Sequence, residues 1–288
     1  MNLMKNLTAL LIVLGATAAF PALAQTDDND DIVVVGERQV TVRELRRQAS
    51  DITPREGYAG EPLPRMHQEI CAGVWGMSPE SAQLVIDRIY YNAEMIGLPV
   101  IRETDCRPNI IVAVTPDPDA EFAAMRNESH MLVRGLDLWD RKRVDREEDY
   151  PVLAYNVILP FLNDPDLPLS RGQGVETTMM SRTMTSTGNA IAFSLIMVAK
   201  DAVDGMDGVA LADYATMRAF VRTREPGNGT TVGTILSVFD DPDNAPLRLT
   251  AFDRAYLAGV YDSRQNRPMH RSMGLIGTRL RQALATEE

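Results

Sequence analysis

Ile110, Ile111, Val112 and Val114 make a nearly continuous apolar run between Asn109 and Thr115. A run of that kind, with no polar alternation, predicts a strand buried on both faces. Ahead of it stands a helix bracketed by its own punctuation. Ser78 is placed as N-cap, Pro79 at the first helical position and Gly97 just past the end, and Ala82, Val85, Ile86, Ile89, Ala93 and Ile96 recur at helical spacing.

Downstream, a helix is expected after Asp117 and Pro118, and a strand over Val152–Leu159. Asn163–Pro168, rich in Asp and Pro, reads as a loop. Val175–Ser186 and Ala190–Ala199 flank Thr187, Gly188 and Asn189, which predicts a hairpin whose turn uses Gly188. Helical signals return after Gly208 and run to about Arg224. Thr250 with Asp253 forms a capping-box variant that opens a helix to about Tyr261, and Met269, Met273, Ile276 and Leu280 stripe a last helix. Mixed helices and strands with a hairpin argue for an α+β fold in a single domain.

The N-terminus carries a different signal. Lys5, the uncharged run Leu7–Phe20 and the ending Pro21-Ala22-Leu23-Ala24 predict a secretory signal peptide over 1–24, cleaved before Gln25. The run is too short for a stable membrane span. Residues 25–64 read as a polar N-terminal segment with one short helix, opened by the Thr41/Glu44 capping box and closed before Pro54. Gly57–Pro64 reads as a linker into a domain spanning 65–288, whose regular structure begins near Ile70. Export to the periplasm or beyond makes a Cys71–Cys106 disulfide the default for the only two thiols, and closing that loop would stabilise the fold by about 3–4 kcal/mol.

The charge balance limits the partners. With 29 basic and 40 acidic residues the net charge is −11, the wrong sign for a phosphate backbone or an anionic bilayer, so no nucleic acid is expected. No later segment is long and apolar enough for a stable membrane span. His67, His130 and His270 are scattered, with no His-Glu-x-x-His zinc motif, and no metal or other cofactor is expected. Gly-x-Ser-x-Gly, a phosphate-cradling loop, a dinucleotide fingerprint and an EF-hand loop are also missing. Asp240, Asp241, Asp243 and Asn244 suit a turn better than a calcium site. The Thr- and Met-rich stretch Thr177–Met184 reads as a hairpin strand with one packed face.

The order of blocks from Ala190 onward carries a resemblance. An apolar strand Ile191–Val198 precedes the helix Ala210–Arg222, followed by Ile235-Leu236-Ser237-Val238-Phe239 and by Leu249-Thr250-Ala251-Phe252-Asp253 leading to Leu257 and Tyr261. Over Ile70–Tyr261 this resembles the zincin-like metallopeptidases, in which a sheet-edge strand precedes the His-Glu-x-x-His helix. More closely, the chain resembles exported alphaproteobacterial proteins of unknown function in which that helix lacks its zinc ligands. The resemblance implies a zincin-like fold with a mixed sheet and long helices. It also places degenerate-site candidates on the helix: Asp213, Tyr214 and Met217 in one register, Tyr214, Ala215 and Arg218 in the next. Neither register supplies two imidazoles and a carboxylate, so peptidase activity does not carry over and no catalytic residue is assigned. The expectation is a non-catalytic pseudo-metallopeptidase that binds a peptide or protein along a sheet edge. The alternative is a periplasmic hydrolase that uses carboxylates.

Overall fold

The computed structural model describes residues 41–54, 61–103, 105–128, 133, 150–162, 185–227 and 232–287. The predicted signal peptide, Gly57–Gly60, Asn163–Pro168, Thr177–Met184 and His130 lie outside the described residues. In chain order the elements are α1 (Val42–Asp51), β1 (Arg65–Met66), β2 (Ala72–Trp75), α2 (Pro79–Met95), β3 (Ile110–Thr115), α3 (Pro118–Asn127), β4 (Val152–Phe161), β5 (Gly188–Ala199), α4 (Lys200–Val203), α5 (Gly208–Phe220), a 3-10 turn Ile235–Ser237, α6 (Ala251–Tyr261) and α7 (Met269–Glu287). The chain is a mixed α/β protein with a mostly parallel sheet. Among the described residues, no helix is long and apolar enough to cross a membrane.

β5 is the centre of the sheet. β4 runs antiparallel along one side of it, while β1 pairs with its start and β3 with its end, both parallel, and β2 lies outside β3. The apolar run in β3 is buried on both faces, as its lack of alternation requires. Ile110, Val112 and Val114 face the large core with the helices, while Ile111 and Ala113 face a smaller cluster with Phe122 of α3. The same division holds in β4, where Val152 and Ala154 oppose Leu153 and Tyr155.

Local sequence signals place the helices where they were expected. Ser78 accepts a hydrogen bond from the Ser81 N–H at 3.3 Å, and Gly97 takes a φ of 80° beyond the end of α2. Thr41/Glu44 and Thr250/Asp253 both form complete capping boxes. Cys71 and Cys106 form a disulfide with Cα atoms 6.2 Å apart, fastening the chain on either side of α2.

Three expectations need correction. Gly188 and Asn189 are not a hairpin turn; they pair with Phe161 and Pro160 inside the β4–β5 ladder. Gly188 is needed there because a Cβ would run into the Phe161 ring. The strand before α5 is not a sheet edge, because β4 covers its outer side along nearly its whole length. Regular structure begins before Ile70, since Arg65 and Met66 already pair with Ala190 and Ile191. The compact unit holding the sheet runs from Val40, so α1 belongs to it and buries Leu45 and Ala49.

α5 is the structural axis. Every residue from Ala210 to Phe220 is buried, the pattern of a helix enclosed on all sides rather than lying on a surface. A helix end leaves its last four carbonyls without intrahelical partners, and burial denies them water. Here each finds a side chain. Met217 O accepts from Thr223 Oγ1 at 2.8 Å, Arg218 O from Asn156 Nδ2 at 2.9 Å, Ala219 O from Ser194 Oγ at 3.0 Å and Phe220 O from Tyr261 Oη at 2.9 Å. These donors come from β4, β5, α6 and the segment after α5, so the cap also ties the sheet to the helical layer. On the other side α6 and α7 approach closely at Gly259, where a Cβ would stand 2.7 Å from Ile276 Cα.

Asn156→Ala removes the donors to both Arg218 O and Ser194 Oγ. It is expected to cost about 1–3 kcal/mol, the penalty for a buried acceptor left without a partner. Urea unfolding of the variant against the parent protein measures it.

Candidate functional site

α5 presents two polar centres on different faces, and three of the four residues singled out in the sequence, Asp213, Tyr214 and Arg218, divide between them. Asp213 is fully buried. Arg88 of α2 grips its carboxylate through Nε at 2.6 Å and Nη2 at 2.8 Å, Asn92 Nδ2 donates at 2.8 Å, and the Leu249 N–H donates at 2.8 Å. Asn92 also donates to Thr216 Oγ1 at 2.9 Å. The Arg88 guanidinium is held charged above its ordinary range chiefly by the hydrogen bond to Asp213, and it lies over the Tyr91 ring at 5.0 Å. Asp213 therefore fastens α2, α5 and the entrance to α6 together. With its oxygens taken up by donors, it has no free face to offer a substrate.

Tyr214 and Arg218 occupy the second centre, one helical turn apart. Both converge on the same oxygen of Glu225: Tyr214 Oη donates to Glu225 Oε1 at 3.0 Å, and Arg218 Nη1 forms an ion pair with it. Arg218 also lies over the Tyr214 ring at 5.9 Å, and Phe239 meets that ring edge-on at 4.8 Å. Burial pushes the Tyr214 phenol well above its usual pKa, with the Arg218 charge pulling the other way. Beside them, burial raises the Asp240 carboxyl above its usual range, and the nearby Glu225 charge adds to this. Met217 points into the core with no exposed surface.

The set Tyr214, Arg218 and Glu225 does not fit zinc. It offers one carboxylate and two donors, one of them a permanent cation, where the metal needs about three lone-pair ligands. Among the described residues no group of three or more His, Cys, Asp or Glu side chains has an arrangement that could hold a metal ion. Asp241 accepts from Asn244 at 3.0 Å within an exposed turn, and His270 is exposed at the start of α7.

His67 is half-buried rather than a surface imidazole. Its ring stands edge-on to Phe161 at 5.7 Å, and Gln265 Nε2 faces Nδ1 at 3.2 Å. Burial, assisted by the Arg65 charge, lowers its pKa from 6.5 to about 4.

Sequence reasoning missed Arg88, Asn92, Glu225 and Arg65. A trace of the first pair was present, since Arg88 and Asn92 lie four residues apart beside the apolar stripe of α2. Glu225 carried none, because it lies in a loop beyond the helix it serves. Comparison with protein-family models, with curated proteins and with solved structures found no match for this chain.

Two outcomes test this account. Asp213→Ala strands Arg88 and Asn92 and is expected to destabilise the protein by about 3–5 kcal/mol, as when one partner of a buried pair is removed; chemical denaturation reads it. The folded state favours neutral His67, so its contribution to stability is complete above pH 6.5 and is lost as pH falls toward about 4. Thermal unfolding midpoints of His67→Phe should decline less than those of the parent protein across that interval at low salt.

Proposed function

We propose that this is an exported, non-catalytic protein with a zincin-like fold, a pseudo-metallopeptidase whose role is to bind a peptide or protein. The observation that carries the reading is the convergence of Tyr214, Arg218 and Glu225. In the second register of the resemblance, Tyr214 and Arg218 stand at the two histidine positions. At that place this chain has a built-in guanidinium already neutralised by a carboxylate. An incoming metal cation would meet a fixed positive charge, and no imidazole would be there to receive it.

The surrounding architecture supports the same reading. A mixed sheet with one antiparallel outer strand precedes α5, and the Leu-Thr-x-x-Asp stretch follows it. In that stretch Asp253 accepts from Thr234 Oγ1 at 2.6 Å and from the Ile235 N–H at 2.9 Å, locking the 3-10 turn onto α6. The disulfide and the absence of a membrane-crossing helix among the described residues are compatible with a secreted or periplasmic location. The partner class rests on the resemblance, and strand addition would have to use an edge other than β5, whose outer side β4 covers.

One observation favours a second reading, a hydrolase that uses carboxylates. Asp240 is raised toward the protonated form beside Glu225 and Tyr150. Two neighbouring carboxyl groups in unequal environments are the arrangement general acid–base catalysis uses. Asp213, locked among Arg88, Asn92 and Leu249, takes no part in it.

Protein recovered from outside the cytoplasm should begin at Gln25, retain no stoichiometric zinc after dialysis and cleave no peptide in a chelator-sensitive way. One zinc per chain would overturn the pseudo-enzyme reading. Chelator-insensitive hydrolysis lost in both Glu225→Gln and Asp240→Asn would replace it with the carboxylate enzyme.

A further inference from the structure

Arg65 of β1 and His67, just beyond that strand, reach the end of α6 and the connection to α7. Arg65 Nη1 donates to the carbonyls of Val260, Tyr261 at 3.1 Å and Ser263 at 2.8 Å, and the guanidinium lies 5.4 Å from the centre of the Tyr261 ring. His67 meets Gln265 four residues beyond Tyr261. Arg65 is only 7% exposed, and among the described residues its Nε and the His67 Nε2 are buried without a hydrogen-bond partner. With the Gln265 amide donating to Nδ1, the neutral imidazole carries its proton on Nε2. Arg65 Nη1 and His67 Nδ1 thus make the contacts at the end of α6 and the connection beyond it, while two further buried N–H groups, Arg65 Nε and His67 Nε2, are left calling for an acceptor.

The charge around them states what kind of acceptor. Buried guanidinium groups are ordinarily paired with a carboxylate, but among the described residues the Arg65 side chain hydrogen-bonds only to backbone carbonyls. Asp262, the carboxylate nearest in its electrostatic surroundings, is already paired with Arg279 at 2.5 Å. From Asp262 to Arg281 the chain carries Arg264, Arg267, Arg271, Arg279 and Arg281 against the single acid Asp262, in a protein whose net charge is −11. A water molecule would satisfy the two donors and leave the buried charge uncompensated; an anion does both. The depth of Arg65 restricts the occupant to a small ion.

We infer that Arg65 Nε and His67 Nε2 are the donors of a binding site for a small inorganic monoanion of the halide class, set where β1 meets the α6–α7 connection. The bound ion ties the start of the sheet to the two C-terminal helices, so its effect is on stability. The inference is independent of the pseudo-peptidase reading, which rests on Tyr214, Arg218 and Glu225.

The test uses the whole mature chain. Crystals grown in sodium bromide are examined by anomalous diffraction, and thermal unfolding is followed in sodium chloride against sodium gluconate at constant ionic strength. The expected result is a bromide in contact with both nitrogens and a midpoint that rises by roughly 3–5 °C for each tenfold increase in chloride above the dissociation constant. In His67→Phe, which keeps a ring against Phe161, the chloride response should be lost while the circular dichroism spectrum is unchanged. A water bridging the two donors in place of bromide would overturn the site. So would identical midpoints in chloride and gluconate, an undiminished chloride response in His67→Phe, or a bromide seen in the crystal with no response in solution, which would mark binding at crystal concentration only.

Discussion

A helix buried along its whole length must have its terminal carbonyls met by other parts of the chain, and α5 sets that requirement for the entire protein. Its four last carbonyls take donors from Thr223, Asn156, Ser194 and Tyr261, which stand on four different segments. Each of those contacts also fixes a neighbour: Asn156 and Ser194 bring the β4–β5 ladder onto the end of the helix, and Tyr261 brings α6. Asp213, midway along the helix, adds α2 through Arg88 and Asn92, and the start of α6 through the Leu249 N–H. The layers are held in register by polar groups that burial leaves no freedom to pair elsewhere.

The same burial explains why the candidate site has the chemistry it has. A polar side chain on α5 cannot remain unpaired, so each is matched inside the fold: Asp213 with a guanidinium, Arg218 with Glu225, Thr216 with the Ala212 carbonyl at 2.8 Å. Matched groups of this sort hold a structure together but offer little to a substrate. The cluster of Tyr214, Arg218 and Glu225 is closed electrostatically in this way. Among the described residues, Arg65 Nε and His67 Nε2 are buried without a partner, as are Asn92 Oδ1 and the Tyr150 hydroxyl, and the arginine-rich stretch lies near the first two.

Much of the fold was legible because its signals are local. The capping boxes at Thr41 and Thr250, the Ser78-Pro79 start and Gly97 stop of α2 and the apolar run in β3 each state a backbone conformation within a few residues. The Cys71–Cys106 pair was legible by elimination, since no other thiol exists. Gly188 was misread for a physical reason. Glycine serves both turns and close approaches, and only the position of Phe161 across the ladder distinguishes the two. The order of strands was equally out of reach, because Ile191–Val198 has the same composition whether it is the edge or the centre of a sheet.

By itself the sequence determined the helices, the buried strand, the disulfide partners and the lack of a zinc-binding motif on the Ala210–Arg222 helix. All of these depend on residue type and short spacing. Only the tertiary structure decided that Asp213 and Arg218, five residues apart on one helix, belong to separate centres with separate partners. It also decided that Glu225, beyond that helix, and Arg65, far ahead of it, take part in the polar interior. Charge pairing acts through space over a few ångströms, and no local pattern records which distant group will lie there once the chain has closed around α5.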